Sequence, residues 1–166
     1  MLKRIILLAI FVIPMCAFAQ KFGHINTIPI MQAMPEYTKA QSELQELQKQ
    51  YEGEMKIMQD ELTRKGEEYD KQKDSLPQNI RQRRETELQD LYTRLQQYAQ
   101  ESTQNMQKAS QEKMAEISKK IEAAIQEVGK AGGFIYIFDQ TAGIPFINET
   151  LSTDVSAQVK AKLGLK

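Results

Sequence analysis

The stretch "DSLPQN" at residues 74–79 interrupts a long polar and charged tract whose composition is otherwise typical of a helix. Pro77 is the only proline between Tyr37 and Val128. A proline in such a tract either kinks one continuous helix or lies at a turn, after which the chain runs back. The choice between these two structures decides the fold.

Apolar and small residues recur at spacings of three and four on both sides of Pro77, which is typical of amphipathic helices. If the chain folds back, these residues face each other at equal distances from the turn. The expected pairs are Leu62 with Leu91, Met58 with Leu95, Met55 with Tyr98, Tyr51 with Ser102, and Leu47 with Met106. Every pair is centred between Leu76 and Pro77, so apolar spacing and local chemistry indicate the same turning point.

The residues of the turn agree with a second helix that starts there. Ser75 and Gln78 have the spacing of a capping box, with Ser75 as N-cap. Pro77 then lies in the first helical turn, where its missing N–H costs nothing. We therefore predict an antiparallel hairpin, and the alternative is a kinked rod that pairs with a second chain.

Residues 1–19 have the pattern of a secretory signal peptide. Lys3 and Arg4 precede the apolar run Ile5–Ile13, which is too short to span a bilayer, and a small-x-small cleavage pattern ends at Ala19. Cleavage there would also remove Cys16, the only cysteine, so no disulfide or thiolate metal site is expected. The remaining 20 basic and 22 acidic side chains disfavour nucleic acid as a partner.

The two ends of the chain carry most of the apolar residues and predict a small sheet. Strands are expected at 21–26, at the end of 129–139 after a glycine-rich helix stop, and at 144–148. Thr27 is expected to cap a short helical turn. A short amphipathic helix is expected within 152–166, where Val155, Val159 and Leu163 share one face behind a Ser/Thr/Asp cap.

Together these elements predict an α+β fold that is mostly α. Residues 20–34 and 130–166 would form a β-rich head, and residues 35–129 would form a helical-hairpin arm with its tip near 74–79. The head alone buries too little apolar surface for independent stability, so we expect it to associate with other copies through its edge strands.

No arrangement of residues predicts catalysis, a metal ion or a cofactor. No Gly-x-x-x-x-Gly-Lys loop for phosphate is present. His24 is the only histidine, and no acidic partner is evident beside it. Asp139 and Asp154 lie next to a turn and a helix start, where capping explains them. The protein is therefore not expected to be an enzyme.

The predicted arm is marginally stable and mobile, because residues 99–113 contain Met106 as their only large apolar side chain. Gly53 and Gly66 each weaken the first helix by about 1 kcal/mol relative to alanine. Charged residues near the tip alternate in sign and predict a solvated, mutually paired surface. The candidate residues for partner contact on the arm are Tyr69, Leu76, Ile80 and Met106.

The order of these segments resembles the Skp, or OmpH-like, family of periplasmic chaperones. The resemblance covers the chain after the signal peptide. It lies in "FGHINTIPIMQAMPEYTKAQSELQELQKQYEGEM" (22–55), which leads from strand to long helix, and in "GGFIYIFDQTAGIPFINETLSTDVSAQVKAKL" (132–163). Within the second stretch, "TDVSAQVKAKL" is similar to the ending of the family.

The resemblance implies a homotrimer with a β-barrel-like core and three arms around a cavity. It also implies a periplasmic, ATP-independent holdase that binds unfolded outer-membrane proteins, without a cofactor. Well-known members are strongly basic, so contact with membrane or lipopolysaccharide is not carried over to this slightly acidic chain. The alternative is a structural or adaptor coiled-coil protein of the cell envelope. The candidate oligomer-forming residues of the head are Phe22, Ile25, Phe134, Tyr136, Phe138 and Phe146.

Overall fold

The computed structural model describes residues 20–165, so the predicted signal peptide at 1–19 lies outside the described residues. The chain is mainly helical with one small sheet, which confirms the predicted balance of elements. In chain order the elements are β1 (Lys21–Ile25), α1 (Thr27–Ala33), α2 (Pro35–Gln72), α3 (Gln78–Gly132), β2 (Phe134–Asp139), a 3₁₀ turn (Gln140–Ala142), β3 (Ser152–Asp154) and α4 (Ser156–Lys162).

The described residues divide into two compact units. One contains residues 20–30 and 120–165 and is called the head unit below. The other contains residues 31–119 and is called the hairpin unit.

The sheet of the head unit has the strand order β2-β1-β3, and both pairings are parallel. His24 in the central strand lies beside Phe138 on one side and Asp154 on the other. The third strand was predicted at 144–148, and this position is wrong, because β3 is formed by Ser152–Asp154.

Two features of the local sequence explain the shift of the third strand. Pro145 has no N–H to donate to a ladder, so residues 144–148 remain irregular. A turn then follows at Asn148, whose side chain accepts a hydrogen bond from the Thr150 N–H and whose carbonyl accepts one from the Ser152 N–H at 2.9 Å. This turn places the short polar segment that begins at Ser152 against β1.

The core of the head unit consists of buried aliphatic side chains from the strands and helices. They are Ile25, Ile30, Ile121, Ala124, Val155 and Val159. Gly23 in β1 allows β2 to approach closely, because a Cβ atom there would lie 3.1 Å from side-chain atoms of both Phe134 and Ile137.

The residues that cap the short helices α1 and α4 agree only partly with those predicted from the sequence. The N-cap of α1 was predicted to be Thr27, but Asn26 fills this role by accepting a hydrogen bond from the Ile28 N–H. The Thr27 hydroxyl instead donates to Asp139 at 2.6 Å. Val155 is the N-cap of α4, and Asp154 just before it accepts from the Ser156 N–H at 2.8 Å, so the acidic residue lies at the helix start as expected.

The hairpin unit contains the antiparallel pair of α2 and the first part of α3. Four side-chain contacts join the helices: Tyr69 with Glu85, Lys65 with Glu87, Tyr98 with Glu54, and Lys113 with Glu43. The partners are separated by 16, 22, 44 and 70 residues, so the contacts are nested around one turn. The predicted fold-back is confirmed, and the kinked rod is excluded.

The capping box predicted at the turn is wrong. The Ser75 hydroxyl donates to the carbonyl of Gln72 at 2.8 Å, so it completes the end of α2. The carbonyl of Pro77 accepts from the N–H groups of Ile80 and Arg81, both at 3.0 Å, and so begins α3. The Ser75 hydroxyl is therefore used at the end of α2, and Gln78 is the first residue of α3 rather than its third.

Candidate functional site

The described part of the chain offers neither a metal site nor a membrane span. Among residues 20–165, no group of three or more histidine, aspartate or glutamate side chains could hold a metal ion. None of the helices in this range is long and apolar enough to cross a bilayer.

His24 has polar neighbours that the sequence did not indicate. It is 5 % exposed, and its Nδ1 lies 2.9 Å from the Ser152 hydroxyl on β3. The expectation that no acidic residue lies beside it is wrong, because Asp154 is its neighbour in the parallel register. The Val155 N–H also donates to the His24 carbonyl at 3.0 Å. These contacts join β1 to β3 and explain the histidine structurally.

The two acidic residues near the ends of β2 and β3 bond the N–H groups of the helical turns that follow, Asp139 as the N-cap and Asp154 one residue before it. Burial tends to raise the pKa of Asp139, but hydrogen bonds from Thr27 and Thr141 outweigh it, and the pKa is lowered. Hydrogen bonds from Ser156 lower the pKa of Asp154. Both carboxylates are therefore ionised acceptors that fix chain turns.

The head unit exposes a group of aromatic and aliphatic side chains, called the head apolar surface below. Phe22 stacks on Tyr136 with 6.4 Å between ring centroids, and Tyr136 stacks on Phe138 at 5.8 Å. Phe146 and Leu151 are 77 % and 76 % exposed. These five residues define the surface, and exposed aromatic groups of this kind mark interaction sites.

A groove of about 370 Å³ lies within this surface. Phe22, Phe138, Phe146 and Leu151 line it together with residues of the irregular segment 144–148. The segment that was predicted as a strand therefore forms one wall of an apolar groove.

Of the six head residues predicted from the sequence, four lie in the head apolar surface: Phe22, Tyr136, Phe138 and Phe146. Ile25 is 1 % exposed and belongs to the core of the chain itself. Phe134 is half-buried, and the Lys21 ammonium lies 4.2 Å from its ring centroid. Sequence reasoning missed Leu151, because its exposure depends on the turn that starts at Asn148.

The hairpin unit is incompletely packed along its length. Most of the paired apolar residues, including Leu47, Met55, Met58 and Leu95, are half-buried. Leu91 and Ser102 are the exceptions and are buried. The interface between the helices therefore leaves much of its apolar surface accessible.

The four arm residues predicted to contact a partner lie at different places in this unit. Tyr69 and Leu76 line one small cavity of about 40 Å³ near the turn. Ile80 is half-buried in the first turn of α3. Met106 lies in a separate open groove of about 570 Å³, opposite Leu44.

Charged side chains near the turn are paired with each other. A hydrogen bond from Lys65 lowers the pKa of Glu87, and one from Arg84 adds to the effect. The pKa of Lys65 is correspondingly raised. Arg64 bonds Glu68 on the same helix at 2.8 Å. These partners neutralise one another.

Comparison with known proteins identifies the fold. A family model described as "Outer membrane protein (OmpH-like)" matches residues 21–163. The chain is also similar to a crystal structure described as an outer membrane chaperone (OmpH-like) from Caulobacter crescentus CB15. The TM-score is 0.74 at 16 % sequence identity, with 87 % of this chain and 83 % of that chain covered. No curated protein matches the sequence.

Proposed function

Because the chain belongs to the OmpH-like family of outer membrane proteins, we propose that it is a non-enzymatic, ATP-independent holdase chaperone. It binds unfolded outer-membrane proteins in the periplasm and keeps them from aggregating. The observation that carries the proposal is the long antiparallel hairpin, whose facing apolar side chains stay half-buried. The signal-peptide pattern of residues 1–19 supports export.

The hairpin unit suits many weak contacts rather than one tight site. Its half-buried methionines adapt in shape, and its tyrosines combine an apolar ring with a polar end. Several such contacts on one client raise retention without strong local binding. A client held in this way cannot pair its exposed strand edges with those of another copy.

We also propose that the protein is a homotrimer that associates through the head apolar surface. The rings of Phe22, Tyr136 and Phe138 form a continuous stack, and Phe146 protrudes beside it. A small three-stranded sheet with this much exposed apolar area gains stability when a second chain covers it.

The function is tested by light scattering. A urea-unfolded outer-membrane β-barrel protein is diluted into buffer that contains the chain without residues 1–19 and no nucleotide. We expect scattering to be suppressed at about one trimer per client. Unchanged scattering at this ratio would remove the holdase proposal, whereas the trimer is tested separately by the mass of the protein alone.

A further inference from the structure

The open groove beside Met106 has an unusual lining. Gln41, Gln45, Gln48 and Leu44 contribute to it from α2, and Met106 contributes from α3. All the side chains that line it are uncharged, although the groove lies in a highly charged pair of helices. It is called the amide groove below.

The groove exists because α3 has few large side chains at this level. Met106 is the only large apolar residue within 99–113, and its neighbour towards the turn is the small Ser102. The Ser102 hydroxyl donates to the Tyr98 carbonyl of its own helix at 2.6 Å and does not reach across to α2. Leu44 on the facing helix is therefore only half-buried.

The glutamine amides of the groove retain hydrogen-bonding capacity. Gln41 uses its Nε2 to donate to the Tyr37 hydroxyl at 3.0 Å, and Gln48 uses its Nε2 to donate to Glu52 at 2.7 Å. Within residues 20–165, their Oε1 atoms have no hydrogen-bond partner, and neither does the side chain of Gln45. Each glutamine amide has both donor and acceptor groups, as a peptide backbone does.

We propose that the amide groove binds one extended segment of an unfolded polypeptide, with the glutamines bonding its backbone. This inference rests on the proposed holdase function and names one contact site for the client. The glutamines would recognise the peptide backbone of the client rather than particular side chains, because every residue except proline offers both an N–H and a carbonyl.

The spacing of the glutamines fits an extended chain. Gln41 and Gln45 are four residues apart, or about 6 Å along the helix axis. Alternate residues of a strand, which present their backbone groups to the same edge, are about 6.6 Å apart. Gln41 to Gln48 spans about 10.5 Å, the length of roughly three extended residues.

The apolar floor of the groove selects a class of client. Leu44 and Met106 offer one apolar contact beside the row of amides, and methionine adapts to the shape of the side chain that enters. Strands of outer-membrane barrels alternate apolar and polar residues, so each strand supplies such a side chain at every second position. Because the lining is uncharged, binding at this groove is expected to be insensitive to salt.

The test compares two triple variants. The groove variant replaces Gln41, Gln45 and Gln48 by Ala. The control variant replaces three exposed glutamines outside the groove by Ala, namely Gln59, Gln89 and Gln96. Alanine is the best helix former, so both variants keep the hairpin. Affinity is measured for an unfolded outer-membrane barrel protein at two salt concentrations. We expect the groove variant to bind about tenfold more weakly, since three hydrogen bonds are lost, and the control within about twofold of the wild type.

The outcomes separate the two proposals. If the wild-type protein does not bind the unfolded barrel protein, the holdase function itself fails. If the wild type binds and the groove variant binds equally well, only the amide groove is refuted. A photoreactive benzoylphenylalanine at position 45 gives a second readout: it is expected to crosslink the client several times more than the same group at position 89, and equal yields would overturn the proposal.

Discussion

The hydroxyl of Tyr98 on α3 donates a hydrogen bond of 2.6 Å to the carboxylate of Glu54 on α2, and this contact spans 44 residues of sequence. The Tyr98 ring also contacts the ring of Tyr51 edge-on, with 6.1 Å between centroids. The hydrogen bond to this carboxylate raises the pKa of Tyr98 further above neutral pH, where a phenol is already protonated and donates. Tyr98 therefore joins the two helices just beside the level at which their apolar packing is poorest.

Replacing Tyr98→Phe keeps the ring contact and removes only the hydrogen bond to Glu54. We expect the melting temperature, followed by circular dichroism at 222 nm, to fall by up to about 3 °C, because the bond is solvent-exposed. Tyr92→Phe is the matched control, since the Tyr92 hydroxyl is bonded only to Gln96 on its own helix. An equal or larger fall for Tyr92→Phe would contradict the cross-helix role.

The hairpin is expected to lose stability in acid. The pKa of Glu87 lies below the ordinary carboxyl value of 4.5 because Lys65 and Arg84 bond its ionised form. A carboxylate whose pKa is lowered by folding stabilises the folded state fully when the pH is above its ordinary pKa. This stabilisation is lost as the pH falls through the lowered pKa of the folded state. The raised pKa of Lys65 leaves it charged throughout this range.

Urea denaturation at pH 7 and pH 3 checks this contribution. We expect Glu87→Gln to lower the urea midpoint at pH 7 and to have a smaller effect at pH 3. Glu67→Gln serves as control, since Glu67 is exposed and forms no ion pair within residues 20–165. A Glu87→Gln effect of the same size at both pH values would refute the assignment.

Two glycines are expected to respond oppositely to alanine. Gly53→Ala should raise the free energy of unfolding by about 0.5–1 kcal/mol, because no atom lies within 4 Å of the added Cβ and alanine favours the helix. Gly23→Ala should destabilise the head unit, because its Cβ would lie 3.1 Å from side-chain atoms of Phe134 and Ile137. Urea denaturation of both variants measures whether each substitution raises or lowers the free energy of unfolding. A stabilising Gly23→Ala would contradict the register of β1 with β2.

The helices and the turn could be predicted from the sequence because their signals are local and periodic. The residues of α2 and α3 repeat at helical spacing, and the mirrored pairs around Pro77 needed no knowledge of distant contacts. β1 was recognised from its alternating character, and β2 from its run of β-branched and aromatic residues after a glycine-rich helix stop.

The third strand and the surroundings of His24 depend on contacts between distant parts of the chain. Ser152 and His24 are 128 residues apart, and their contact follows only once β3 pairs with β1. The segment Ser152–Asp154 lacks the β-branched and aromatic run that marks a strand. For the same reason the sequence did not show that Leu151 stays exposed and joins the head apolar surface.

The proposed trimer predicts that a single exposed residue of the head controls assembly. We expect Phe146→Ser to raise the concentration at which the oligomer dissociates by tenfold or more, because it removes an aromatic group from the head apolar surface. Ile57→Ser is the matched control, since Ile57 is 68 % exposed but lies on α2. Multi-angle light scattering over a dilution series measures the concentration at which each variant dissociates. Equal increases for the two variants would argue against association through the head.

The most direct test of the account is whether one chain doubles back on itself at residues 74–79. Spin labels are attached to Gln50→Cys and Gln100→Cys, and the labelled protein is mixed with an excess of unlabelled protein so that only distances within one chain are measured. Packed antiparallel helices have axes 8–10 Å apart, so we expect a label distance below about 25 Å. One continuous helix would separate these positions by about 75 Å, and a distance in that range would contradict the hairpin on which the proposed function rests.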